Sequence, residues 1–301
     1  MRRRIAVAGD GAWGKALAHV CRSAGHDVDM WSRSHSDIKD VASYNAVIIA
    51  VPAQAVREVL TLIKAPSNVP LIISAKGIER NTSKFMNEVV QDVEPGAQVL
   101  VLSGPSFARD VMKSLPTAVT LAASTLAEAG EWAQALTLPM FRIYGSDDIM
   151  GVEIGGALKN VLAIACGISD GRGLGDSARA ALTTRGFAEL MRFGKKLDAK
   201  PETLTGLAGL GDLLLTCSSH QSRNYSFGLA IGNGKTVEEA LRASQGVVEG
   251  ASTAGVAHAL AQLHGVDMPI ITAVAAIIDR GAEPAGEIAK LLARPVREEI
   301  R

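Results

Sequence analysis

Two distant stretches of the chain carry side chains whose types and spacing suit reaction chemistry. In GVEIGGALKNVLAIACG (Gly151 to Gly167), Lys159 and Asn160 stand inside an otherwise apolar helical run. The i±4 neighbours of Lys159 are Gly155 and Ala163, and Gly156 and Leu162 complete its face. An amine among small apolar neighbours is partly desolvated, which lowers its pKa toward the range useful for proton transfer. Asn160 is placed to orient a substrate, and the alternative for Lys159 is a lysine that snorkels at an interdomain surface. Near the N-terminus, IAVAGDGAWGKA (Ile5 to Ala16) reads as strand, glycine turn, helix. Gly9-x-Gly11-x-x-Gly14 therefore has the context that a dinucleotide cradle requires. Gly9 permits the tight turn, Gly11 lets backbone approach a pyrophosphate, and Gly14 lets helix and strand pack closely. The helix N-terminus then favours phosphate charge. Together the two stretches describe an enzyme that moves a hydride and needs one proton donor.

Other candidates surround these two. The second strand ends in Trp31-Ser32-Arg33-Ser34, with no carboxylate to accept a ribose 2′-hydroxyl. Arg33 is suited to a 2′-phosphate, which favours NADP(H) over NAD(H), unless it only covers the adenine face. Lys76 follows a buried strand, where carboxyl ends face the ligand crevice; otherwise it is a solvated loop lysine. Gly104 and Ser106, in Gly104-Pro105-Ser106-Phe107-Ala108, follow the next strand at the same edge. They either touch a ligand or form a simple turn. In Gly206-Leu207-Ala208-Gly209-Leu210-Gly211-Asp212 the dense glycines imply close backbone bends. Asp212 looks like a helix N-cap, with Thr216 four residues on. Ser222-Arg223-Asn224 precedes another helix and brings hydroxyl, guanidinium, amide and free N–H groups toward a phosphate. Asp10, between the first two glycines, is tolerable beside a pyrophosphate only if it faces solvent.

The elements that must position these residues follow from periodicity. β-like runs at Arg4–Ala8, Asp27–Trp31, Ala46–Val51, Leu71–Ser74 and Val99–Leu102 alternate with helical runs such as Trp13–Ser23 and Ser83–Gln91. Ala118–Ala122 and Phe141–Tyr144 add two strands. This α/β alternation predicts an N-terminal, Rossmann-like, doubly wound parallel sheet. From Gly151 onward the periodicity is helical and β-like alternation is absent, which predicts a C-terminal all-helical domain. The boundary falls near 148, giving a dinucleotide-binding domain over 1–148 and a helical substrate and catalytic domain over 149–301.

Composition bounds the function. Formal net charge is zero, so bulk electrostatics favour no polyanionic partner, and aromatics are only 4%, too few for base-stacking platforms. Nucleic acid is not expected. Cys21, Cys166 and Cys217 are odd in number and far apart, so no zinc site, metal centre or disulfide frame is expected, and free thiols fit a reducing cytoplasm. MRRR begins like a signal peptide, but the apolar run Ile5–Ala8 is too short for one. No stretch approaches an uninterrupted membrane-spanning length, so no membrane insertion is expected. A homodimer through a helical face is compatible with the low aromatic count.

As a set, these motifs resemble the bacterial NAD(P)-dependent glycerol-3-phosphate dehydrogenase family. The carrying residues are GDGAWGKALA, the WSR end of the second strand, AVP at 50–52, SAKGIE at 74–79, GPSFA at 104–108 and GGALKN at 155–160. GLAGLGDLLLTC at 206–217, SRN at 222–224 and VVEG at 247–250 complete them, in family order over most of the chain. The resemblance implies an oxidoreductase that reversibly converts dihydroxyacetone phosphate to sn-glycerol 3-phosphate for phospholipid synthesis. It implies that Lys159 donates and accepts the proton, and that Lys76 contacts substrate and nicotinamide. Gly104, Ser106, Asp212, Ser222, Arg223 and Asn224 would hold the substrate. Ala12, Trp13, Arg33, Ala108, Arg223, Val247 and Glu249 would line the cofactor. Asp10 and Lys15 depart from the family's usual alanine and threonine. The stretch between Arg33 and Ala46 is shorter than usual and keeps only His35 to Tyr44, which removes part of the wall around the adenosine half. The nearest rival is a 3-hydroxyacid dehydrogenase, whose substrate would carry a carboxylate.

Overall fold

A computed structural model describes residues 1–32 and 41–295. Arg33, on which the 2′-phosphate reading turns, lies outside the described residues. The apolar runs form strands β1 (Arg4–Ala8), β2 (Asp27–Trp31), β3 (Ala46–Ile49), β4 (Leu71–Ile73) and β5 (Val99–Ser103). β6 (Thr117–Ala122) and β7 (Phe141–Ser146) extend the sheet. Among the described residues the order is β2-β1-β3-β4-β5-β6-β7. The first five strands pair in parallel. β6 is antiparallel to β5, and β7 runs parallel to β6, which corrects the wholly parallel sheet expected. The link from β5 holds only the five-residue helix Ala108–Met112. The chain turns back beside β5 rather than crossing the sheet, as a parallel neighbour would require.

Helices α1 (Ala12–Ser23), α2 (Val56–Ile63), α3 (Met86–Val93), α4 (Ala108–Met112) and α5 (Leu126–Leu136) cover the sheet. Alternate strand residues serve opposite faces, as the period of two requires. Val47, Ile49, Leu71 and Ile73 pack with Val56, Val59 and Leu60 of α2 and Val89 of α3. Ala46, Ile48, Ile72 and Leu100 pack with Leu17 and Val20 of α1 and Trp132 of α5. Both faces are dry, so the strands read as continuous apolar runs. Each fully buried Ile or Leu here contributes roughly 1.5–3 kcal/mol.

The second half is helical: α6 (Ile149–Gly171), α7 (Asp176–Lys196), α8 (Pro201–Thr205), α9 (Asp212–Cys217), α10 (Arg223–Gly232), α11 (Val237–Ala243), α12 (Glu249–Leu263), α13 (Pro269–Arg280) and α14 (Pro284–Leu292). α6 is the hub. It is the one described helix long and apolar enough to cross a membrane, and 83% of its apolar window is buried within the protein. Ile154, Leu158, Val161 and Leu162 of α6 share a core with Leu190 and Phe193 of α7, Phe227 of α10 and Ile271 of α13. Val152 of the same helix packs into the sheet-side core. Asp148 caps α6, accepting from the Gly151 N–H at 2.8 Å, and also accepts from the Lys200 N–H at 2.8 Å. Helices α2, α4, α5 and α8 extend the elements read from periodicity.

Candidate active site

The glycine turn sits where the strand order reverses, between β1 and β3, the place where open α/β sheets bind ligands. Gly9 has φ +123°, and a Cβ there would overlap the Ala50 carbonyl at the end of β3. A Cβ at Gly14 would overlap the Gly9 carbonyl, so helix and turn pack at backbone distance. A Cβ at Gly11 would meet nothing within 4 Å, leaving open space above the turn. Gly11 caps α1 without a side-chain bond, and the first turn has no acidic residue. The first-turn N–H groups, at Ala12 and Trp13, have no acceptor within the helix and favour an anion. Asp10 is exposed, which meets the condition that the sequence set for it.

Across the crevice stands a buried charged centre. Lys159, on α6, lies 2.5 Å from Asp212 Oδ1. Lys76, in the loop after β4, donates to Asp212 Oδ2 at 2.8 Å and to the Gly104 carbonyl at 3.1 Å. One carboxylate thus joins two ammonium groups, one from each half of the chain. Asp212 is 1% exposed and Lys159 7%. Burial lowers Lys159 to about 7; Asp212 opposes that shift and Lys76 reinforces it. Burial also penalises the Asp212 carboxylate, but the two lysines outweigh it and hold the group below its ordinary value. Lys159 is therefore enclosed, and the snorkelling alternative does not hold. Nor is Asp212 the cap of α9: Gly211 takes that position, and the carboxylate faces the lysines. Thr216 donates to the Asp212 carbonyl at 2.6 Å and accepts from Lys159 at 3.2 Å.

The glycine pair before Lys159 explains how this centre assembles. A Cβ at Gly155 would strike the Ala208 carbonyl, and one at Gly156 would lie 2.9 Å from Ser103 Oγ and 3.4 Å from Lys76 Cγ. The absent side chains let the 207–211 backbone and the ends of β4 and β5 close on α6. Leu207–Gly211 is a single π-helical turn leading into α9, a device that shifts helix register and recurs at functional sites.

An amide relay extends from the lysines. Asn160 Nδ2 donates to the Lys76 and Gly156 carbonyls, each at 3.3 Å. Its Oδ1 accepts from Asn224 Nδ2 at 2.8 Å. Asn224 Oδ1 in turn accepts from the Gly250 N–H at 2.9 Å. Asn160 is thus engaged with protein partners, whereas Asn224 keeps one amide hydrogen to offer. Ser222 caps α10, accepting from the Tyr225 N–H at 3.2 Å. Arg223 is exposed at the start of α10, its Nη1 lying against Gly246. That places it beside exposed Val247 and half-buried Glu249. Ser106 donates to the Gly104 carbonyl at 3.1 Å, and Ala108 begins α4.

Two sealed polar atoms without protein partners, Trp13 Nε1 and Glu249 Oε2, lie on elements that flank the crevice. The other Glu249 oxygen accepts from the Ala53 N–H at 3.1 Å, which ties α12 to the loop after β3. Burial raises Glu249 to about 7. With the uncapped α1 terminus, these atoms fit a nicotinamide dinucleotide. Sequence reasoning missed Ser103 and Ala53, which lie at or just beyond the carboxyl ends of β5 and β3. Strand-end position was the one available signal for them.

Comparison with known proteins agrees with this geometry. The model described as NAD-dependent glycerol-3-phosphate dehydrogenase N-terminus matches residues 4–46 and 34–129, and its C-terminus counterpart matches 148–289. The two N-terminal matches overlap where the segment after β2 is short. A glycerol-3-phosphate dehydrogenase (NAD(P)+) of Parvibaculum lavamentivorans is 45% identical over 327 residues, covering 99% of this chain and 98% of its own length. The protein of the same description from Methylobacterium radiotolerans is 49% identical, with 98% of each chain covered. A crystal structure of glycerol-3-phosphate dehydrogenase from Coxiella burnetii superposes with TM-score 0.93 at 38% identity, over 97% of this chain and 99% of that one. With a dinucleotide cradle, a buried carboxylate that bridges two lysines, and both family models matched in order, the chain belongs to the NAD-dependent glycerol-3-phosphate dehydrogenase family.

Proposed function

We propose that this protein reversibly reduces dihydroxyacetone phosphate to sn-glycerol 3-phosphate, a phospholipid precursor, with NADPH preferred and NADH accepted. The observation that carries the reading is Asp212 bridging Lys159 and Lys76 in a buried site across from the glycine cradle. Bound dinucleotide supplies the hydride to the ketone carbon. Gly9, Gly11, Ala12, Trp13 and Gly14 would hold it at the glycine turn, and Lys76, Ala108, Arg223, Val247 and Glu249 would line the rest of its site. The Lys159 ammonium gives its proton to the carbonyl oxygen as charge develops there, and Lys76 stabilises that charge. Asp212 and Thr216 hold Lys159 in place. Gly104 does the same for Lys76, and Ser106 lies beside it. Asn160 fixes Lys76 from behind. Ser222, Arg223 and Asn224 grip the phosphate, and that binding energy orients the carbonyl.

Purified protein mixed with NADPH and dihydroxyacetone phosphate should consume NADPH; no consumption, with the protein folded, would overturn the reading. The cofactor preference is tested by kcat/KM for NADPH against NADH in wild type and Arg33→Ala. The same reading makes the protein a cytoplasmic enzyme, able to form a homodimer. It divides the protein near 148 into a cofactor-binding part and a substrate-binding part.

The depressed Lys159 pKa sets a pH dependence. Reduction needs the ammonium form, so its kcat/KM should be highest below about 7 and fall as pH rises through that value. Oxidation needs the neutral amine and should rise over the same window. Profiles flat through neutrality in both directions would remove Lys159 as the titrating group.

Arg223→Ala should raise KM for dihydroxyacetone phosphate by about one to two orders of magnitude, since a hydrogen bond to a charged group contributes about 1.5–3 kcal/mol. It should also weaken the cofactor, given its place beside Val247 and Glu249. If neither KM changes, Arg223 does not belong to the site.

A further inference from the structure

Tyr225 follows the Ser222-Arg223-Asn224 turn directly and is held from three directions while only 3% exposed. Its hydroxyl donates to Asp170 Oδ2 near the end of α6. The same oxygen takes Arg179 Nη1 of α7 at 2.6 Å, and Arg179 Nη2 reaches Asp176 at 2.6 Å. The Tyr225 ring meets His220 edge-on, with centroids 5.3 Å apart. Its N–H donates to Ser222 Oγ. Tyr225 therefore braces the turn on both sides of Arg223: His220 and Ser222 before it, α10 after it. Burial, then the hydrogen bond to Asp170, raises the phenol to about 12, so it remains a donor at working pH.

The packing beneath explains why such a brace matters. α6 and α10 cross backbone to backbone. A Cβ at Gly167 would overlap the Tyr225 carbonyl, and one at Gly228 the Ile164 carbonyl. Gly171 and Gly232 repeat the arrangement one turn further along. Glycine faces bring the helices close but offer no interlocking side chains at these points to resist sliding. The Ser218–Gln221 loop adds local bonds, the Ser222 N–H to the Ser219 carbonyl at 3.0 Å and the Gln221 N–H to Ser219 Oγ at 3.1 Å. A directional bond to a carboxylate that is itself paired with Arg179 fixes the register.

We propose that Tyr225, tethered through Asp170 to Arg179, is a positioning residue that sets the phosphate grip of Arg223 and Asn224. Through that grip it sets the preference for a phosphorylated over an unphosphorylated three-carbon ketone. This inference rests on the functional reading above.

The test measures Tyr225→Phe and Asp170→Asn with dihydroxyacetone phosphate and with dihydroxyacetone, which lacks the phosphate. For the phosphorylated substrate, Tyr225→Phe should raise KM and lower kcat/KM about tenfold, the scale of one charge-assisted hydrogen bond. Asp170→Asn should act in the same direction. Turnover of dihydroxyacetone at saturating NADPH should remain at wild-type level in both variants. Equal losses on the two ketones would make the tether merely structural and overturn the proposal, as would no loss on either. Wild-type protein unable to reduce dihydroxyacetone phosphate would instead overturn the functional reading, and this inference with it.

Discussion

Lys159→Ala is expected to lower kcat for ketone reduction by about 10²–10⁴-fold, the usual worth of one positioned proton donor. NADPH affinity should stay close to wild type. The Lys159 ammonium contacts Asp212 and Thr216, both on α9, and neither lies on the glycine cradle. The variant's own profile should be flat through neutrality, because the group that titrates there is gone, so the loss relative to wild type should be largest below about 7 and shrink as pH rises. Folding should survive: Asp212 keeps Lys76 at 2.8 Å, so no buried carboxylate is left unpaired. Lys159→Met provides a control that fills the space left by the stem. Single-turnover reduction together with NADPH titration checks this, and near-wild-type turnover would remove Lys159 from the mechanism.

Asp212→Asn is expected to cost about 10²–10³-fold in kcat/KM for reduction at neutral pH, comparable to removing one preorganised electrostatic group. Two ammonium groups would then face each other without a counter-charge. Desolvation and the Lys76 charge, no longer opposed by Asp212, would push Lys159 below its present value of about 7. Lys159 would then be neutral at working pH and unable to donate. Removing one partner of a buried ion pair costs about 3–5 kcal/mol when the charge remains. Here Lys159 can shed its proton, so the loss of stability should be smaller. Unlike that of Lys159→Ala, this loss should partly recover as pH falls. A pH profile of kcat/KM for both variants separates them; a loss in Asp212→Asn that does not change with pH would show that Asp212 does not set the Lys159 charge.

The sequence alone determined those features whose causes are local. A strand buried on both faces must be a continuous apolar run, so β1, β3, β4 and β5 were legible. A turn at φ +123° against a neighbouring carbonyl admits only glycine, so the cradle was legible at Gly9. An amine among small apolar residues must lose solvation, so the shifted Lys159 was legible from its i±4 neighbours. α2 is legible too, in the spacing of Val56, Val59, Leu60 and Ile63.

Tertiary structure decided what depends on distant partners. Strand periodicity carries no direction, so the reversal of β6 and β7 became visible only once the chain was seen to turn back after β5. Asp212 had the local chemistry of a cap, and only the approach of α9 to α6 and to the β4 loop turned its carboxylate into a bridge between two lysines. That contact joins residues from three separate elements. Its strength comes from shared burial, which removes the water that would otherwise screen it, and no local pattern in the chain encodes burial of that kind.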